Sequence, residues 1–154
     1  MPADYSLHSI TSRLDDVFES SRNITDDEIK SHYSRYLCVL ASGYLEESIK
    51  IIIKTYISTR THPNISNYIN YSTSRMTNFK TKEIGNFLNS FNSEWKEKFE
   101  TILTDEEKDS VDSVVANRHQ IAHGHNVGVS FVRVNDWYKN IKKAVEKIST
   151  IVNS

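Results

Sequence analysis

At 154 residues and a formal net charge of −1, the chain is long enough to bury a core as one domain, and it lacks the global basic field of a protein that coats nucleic acid. Four glycines and two prolines disfavour a loop-rich or all-β chain, and the single Cys38 excludes an internal disulfide and fits a reducing compartment. No apolar run approaches the ~20 residues that span a membrane, and residues 1–4 do not lead from basic to apolar, so a soluble cytoplasmic protein that does not enter membranes is expected.

In chain order, residues 4–21 predict an amphipathic helix, with Leu7, Ile10, Leu14, Val17 and Phe18 at helical spacing. Thr25-Asp26-Asp27-Glu28 reads as a capping box that starts a long helix through Tyr33, Tyr36, Leu37, Leu40, Tyr44 and Ile51 toward Ile57. Thr61-His62-Pro63 stops it. Gly43 inside that helix costs roughly 1 kcal/mol against alanine, which suggests that another helix approaches closely there. Cys38, within Leu37-Cys38-Val39-Leu40, reads as a small buried hydrophobe.

Residues 58–80 are polar and predict a connection with a short helix near residues 65–70. Residues 81–92 predict another short helix, and Asn92-Ser93-Glu94-Trp95 opens the next, with Trp95, Phe99 and Leu103 inward. Thr104-Asp105-Glu106-Glu107 repeats the capping box. Val111, Val114, Val115, Arg118, Ile121 and Ala122 follow at helical intervals, and Gly124 should end the helix near His123. A turn that is partly extended over residues 127–132 then leads to a last helix from about Asn135 through Trp137, Ile141, Val145, Ile148 and Ile151. The expected architecture is all-α, one bundle of about five to seven helices over residues 1–154, with two long helices at its heart.

Chemistry is densest in Asn117-Arg118-His119-Gln120-Ile121-Ala122-His123-Gly124. An arginine can clamp a phosphate, and a histidine can move a proton near neutral pH. Together they form a minimal kit for cutting RNA without a metal. At about 100° per residue, Arg118 and His123 lie about 140° apart around a helix, so they do not share a stripe. A site is therefore expected where this helix end meets another surface, such as a second copy across a two-fold axis.

Blander readings stand beside this one. His119 and His123 share a face, and with His125 they could chelate zinc. However, no cysteine is near and no carboxylate follows at ligand spacing, so no metal is expected, with a metal-dependent hydrolase as the third reading. The cluster could equally be an exposed polar helix end whose histidines meet the terminal carbonyls. In the long helix, Glu46 or Glu47 must approach the apolar face, where a carboxylate needs a partner, and Arg118 is the expected partner of Glu46. Tyr33, Tyr36, Tyr44, Tyr56, Trp95 and Trp137 read as core residues. Lys139, Lys142, Lys143 and Lys147 give the last helix a positive face, either solvated or able to help hold a phosphate backbone.

Three blocks in register carry a resemblance: residues 36–46 (Tyr36-Leu37-Cys38-Val39-Leu40-Ala41-Ser42-Gly43-Tyr44-Leu45-Glu46), Phe91-Asn92-Ser93-Glu94-Trp95, and Asn117 to Gly124. With Arg118 and His123 as an R-x4-H pair, the chain resembles the RiboL-PSP-HEPN family of the HEPN superfamily from about residue 30 onward. The resemblance implies a helical bundle that dimerises and pools two R-x4-H motifs in one cleft. It implies metal-independent endoribonuclease activity without a cofactor, as in toxin–antitoxin, phage-defence and RNA-processing systems, with RNA as substrate and an antitoxin or other protein as a further partner. Other members bind nucleotides or RNA without cutting, and that is the alternative reading. The implied catalytic pair is Arg118 and His123. His119 and Asn117 support it, and Glu46 matches the acidic residue of the long-helix block.

Overall fold

Cap chemistry sets most of the helix boundaries. The computed structural model describes the backbone of residues 2–154 and the side chains from Ser6 onward. Its elements are α1 (Pro2–Ser21), α2 (Asp27–Ser58), α3 (Pro63–Ser74), α4 (Thr81–Phe91), α5 (Ser93–Ile102), α6 (Asp105–Ala122) and α7 (Phe131–Val152). No strand occurs among the described residues, and the fold is all-α as the sequence predicts. The two longest helices are α2 and α7, and both contribute to the core.

The capping box at Thr104 forms as expected: its hydroxyl accepts from Glu107 N at 3.1 Å, and the Glu107 carboxylate accepts from Thr104 N at 3.4 Å. Other boundaries differ from expectation. Asp26 rather than Thr25 caps α2, its carboxylate accepting from Ile29 N at 2.9 Å. The His62 ring accepts from Asn64 N at 3.2 Å, and Pro63 occupies the first turn, so α3 runs well beyond residues 65–70. α7 starts four residues before Asn135, because Ser130 Oγ accepts from Arg133 N at 3.2 Å and caps it. The segment expected to be partly extended therefore holds, at its end, a helix cap and the first two residues of α7.

Contacts between helices fix their directions. Tyr44 Oη and Thr11 Oγ1 are 2.9 Å apart, and Lys30 Nζ donates to Arg22 O at 3.3 Å, so α1 and α2 are antiparallel. Lys30 stands over the Phe131 ring, and Tyr44 packs edge-on against Tyr138, so α7 runs parallel to α2. Asn140 Nδ2 donates to Ser110 Oγ at 2.9 Å and Lys147 Nζ to Glu107 Oε1 at 2.7 Å, which makes α6 antiparallel to α7. It follows that α6 is also antiparallel to α2. The end of the bundle that holds the C-terminus of α6 also holds the N-termini of α2 and α7.

The core contains Leu37, Cys38, Leu45, Ile49 and Ile53 of α2, Val111, Val114 and Val115 of α6, and Ile141, Val145 and Ile148 of α7. Cys38 is fully buried, as expected, with its thiol donating to Val114 O at 3.7 Å. Burial pushes that thiol up to about 12. Tyr44 and Trp95 are buried, and Tyr33, Tyr56 and Trp137 are half-buried, but Tyr36 is 50% exposed and is not a core residue. Gly43 also departs from expectation. It faces solvent, and a Cβ there would meet no atom within 4 Å, so no helix approaches it.

Candidate functional site at the end of α6

The first half of α6 is held by buried polar contacts. Glu107, 3% exposed, accepts from Lys147 Nζ at 2.7 and 2.9 Å while serving the capping box. A carboxylate taken out of water needs such a partner. Lys142 Nζ meets Asp15 Oδ1 at 2.8 Å. Two of the four lysines expected to form a positive face on α7 are thus neutralised, and that face is not a continuous phosphate-binding surface.

The last turn of α6 is closed by a Schellman motif. Gly124 N donates to Ile121 O at 3.1 Å and His125 N to Gln120 O at 3.0 Å, with Gly124 at φ +76°. His123 is the C-cap, its N–H donating to His119 O at 3.1 Å. The glycine expected to end this helix does so, and it fixes where His123 leaves the helix.

His119 and His123 are both exposed, and their rings meet edge to face with centroids 4.3 Å apart. The i,i+4 spacing on one face accounts for that contact. Arg118 is half-buried on the neighbouring face. No ion pair or side-chain hydrogen bond holds it among the described residues. Asn117 turns its amide back along α6, Nδ2 donating to Ser113 O at 2.8 Å. Its amide oxygen is left as the group that could orient a ligand or an imidazole. His125 follows the helix end and is exposed. No group of three or more His, Cys, Asp or Glu side chains among the described residues is placed to hold a metal ion.

Glu46 is not the partner of Arg118. Its Oε1 accepts from Asn78 N at 3.2 Å, on the segment that leads into α4. The reason is register. Cys38 lies level with Val114, and α2 and α6 run in opposite directions. Glu46 is eight residues past Cys38 along α2, while Arg118 is four past Val114 along α6. At 1.5 Å per residue these offsets add to a separation of roughly 18 Å along the bundle. Level with Arg118 and His123 are instead the first turns of α2, with Lys30, His32 and Arg35. Arg35 Nη2 contacts His32 Nδ1, and Lys30 is engaged with Arg22 and Phe131. Sequence reasoning missed these basic groups at the R-x4-H end, since only the antiparallel packing of α2 on α6 brings them there.

The groove between α6 and α7 and the groove between α1, α2 and α3 are lined by neither Arg118 nor His123. At the end of α6 His119, His123 and His125 are exposed, with Arg118 half-buried beside them. Ile29 at 56%, Tyr36 at 50% and Val132 at 69% exposure leave apolar area at the same end.

Fold and site together define an all-helical protein with an Arg-x4-His pair at the exposed end of a core helix. A family model described as RiboL-PSP-HEPN matches residues 7–154, and the chain belongs to that family. No curated protein matched it. No solved structure did either. No described helix is long and apolar enough to cross a membrane.

Proposed function

We propose that this chain is a metal-independent endoribonuclease that works as a homodimer, with an R-x4-H pair from each copy in one composite cleft. In this reading it acts as a toxin or as a defence or RNA-processing effector, and an antitoxin or other protein partner controls it. The observation that carries the reading is the end of α6, where two exposed histidines in ring contact sit beside an arginine with no ion pair or side-chain hydrogen bond among the described residues. An arginine left without a counter-ion on a half-buried face is available to an anion. The exposure of that helix end, with apolar Ile29, Tyr36 and Val132 nearby, supports a second copy packed across it.

In the proposed reaction, the RNA 2′-OH loses its proton to one His123 as the 2′-oxygen attacks the adjacent phosphorus. The bond from phosphorus to the 5′-oxygen breaks, and that oxygen takes a proton from the other copy's His123. The products are a 2′,3′-cyclic phosphate and a 5′-OH. The forked donors of Arg118 stabilise charge developing on the phosphoryl oxygens. His119 positions the His123 ring, and Asn117 orients the phosphate or the imidazole. Glu46 has no part in it.

The test is cleavage of RNA in excess chelator by wild type and His123→Ala, with analysis of product ends. Cyclic-phosphate ends from the wild type alone support the proposal. Chelator-sensitive cleavage, or efficient cutting of DNA, which has no 2′-OH, overturns it. RNA retention with no product from a folded dimer favours the non-catalytic binding module.

A further inference from the structure

A second cluster of chemistry lies at the other end of the bundle. Stripes from three helices enclose a groove of about 970 Å³: Ser9, Ile10 and Arg13 of α1, a line along α2 from Glu47 to Ser58, and the Asn70 and Ser74 side of α3. Among the described residues four cations line it, Arg13, Lys50, Lys54 and Arg60, against one carboxylate, Glu47. In a chain whose net charge is −1, that is a marked local excess.

The cations divide into two kinds. Lys50 Nζ donates to Ser74 O at 3.4 Å, and Arg60 Nη1 donates to Tyr56 O at 3.1 Å while its guanidinium stacks on the Tyr56 ring. Lys50 thereby ties α2 to α3, and Arg60 is held against the end of α2. Arg13 and Lys54 are exposed and make no hydrogen bond or ion pair among the described residues. They are available to an anionic ligand.

The arrangement suits a chain of phosphates better than a single one. Lys50, Lys54 and Arg60 follow one another along the end of α2, and the stripe from Glu47 to Ser58 extends about 16 Å at the rise of a helix. Among the described residues no aromatic ring lines the groove, which suits backbone rather than base. A basic groove that tracks the backbone is how single strands are held without sequence preference.

We infer that the α1–α2–α3 groove binds the phosphodiester backbone of single-stranded RNA, as a non-reacting site roughly 30 Å along α2 from the level of Arg118 by helix rise. This rests on RNA being the ligand of the R-x4-H end, so binding and cutting are measured separately. The probe is a short fluorescein-labelled oligouridylate. Its anisotropy is followed against salt with His123→Ala, chosen because its cleavage should be slow, and with the same protein carrying Arg13→Glu and Lys54→Glu. The expected result is a loss of affinity of at least about tenfold and a salt slope shallower by about 1.4, two phosphate contacts at 0.7 each. Arg13→Gln with Lys54→Gln, a milder change that guards against misfolding, should give an intermediate loss. Equal affinity and slope in all three proteins would overturn the inference. So would binding of a nucleoside triphosphate in the groove with no binding of RNA. Groove-dependent binding by a wild type that cuts no RNA would support the groove and defeat the nuclease reading.

Discussion

His119 and His123 touch edge to face across one turn of α6, with ring centroids 4.3 Å apart. One imidazole thus limits the swing of the other at the exposed end of the helix. If His123 carries the proton, His119 acts by holding it. His119→Phe keeps a ring in place without proton chemistry, and His119→Ala removes the ring. The phenylalanine variant should keep most of the RNA cleavage rate, and the alanine variant should lose roughly tenfold, within the range attributed to misplacement of a catalytic group. Single-turnover rates of the two variants decide it, and an equal loss in both would give His119 its own part in the chemistry.

His123→Ala should lower cleavage by about 10²–10⁴, the usual worth of a positioned general acid or base. His123 is exposed beyond the last turn of α6, so the melting temperature should stay unchanged. Arg118→Lys keeps the charge but loses the forked donors, and it should fail to restore activity to the wild-type level. Rates and thermal melts measured side by side separate a catalytic loss from a folding defect.

Two glycines should respond in opposite ways to alanine. Gly124 sits at φ +76° in the Schellman turn, where an L side chain is strained by roughly 1–2 kcal/mol although no atom crowds its Cβ position. Gly124→Ala should lower stability by that amount and shift His123 enough to slow cleavage. Gly43 lies inside α2, exposed, with open space around it. Gly43→Ala should raise stability by roughly 0.5–1 kcal/mol through chain entropy and helix propensity. Denaturant unfolding of both variants is the check.

The same contrast shows what was legible in the chain. Gly124 and the Thr104–Glu107 box were readable because a helix end is settled by a few adjacent residues. Gly43 was misread because a glycine in a helix does not reveal which way it faces. The start of α7 was missed because Val127, Val129 and Val132 suggest extended chain, whereas Ser130 caps a helix whose Phe131 packs against Phe18 of α1. The Glu46–Arg118 pairing failed for a related reason: helical spacing places both residues near the core but says nothing of how far α2 is shifted along α6. The basic groove is invisible for the same reason, since Arg13 lines it with Lys54 and Arg60 only when α1 packs on α2.

Lys147→Met should be among the more damaging changes outside the site. It removes the cation from Glu107, whose side chain is only 4% exposed, and breaking one side of a buried pair costs on the order of 3 kcal/mol. Adding Glu107→Gln should recover part of the loss, because the amide keeps a cap for Thr104 N without a buried charge. A double-mutant cycle in urea measures the coupling, and strictly additive losses would show that the pair is not linked.

Alkali should weaken the fold through groups that burial keeps protonated. The Cys38 thiol moves from its ordinary 9.0 to about 12, and burial also raises the Tyr44 and Tyr138 phenols. In the unfolded chain these groups ionise at ordinary values, so above pH 9 the unfolded state binds fewer protons than the folded state. Stability from this source is fully present below pH 9 and is lost as pH climbs toward 12. Unfolding free energy measured across that range should fall steadily. At neutral pH the buried thiol should resist a thiol-specific disulfide reagent until denaturant opens the core. Fast reaction of the native protein would mean that the contact between α2 and α6 at Val114 opens locally, and the register that separates Glu46 from Arg118 would then be a mobile one.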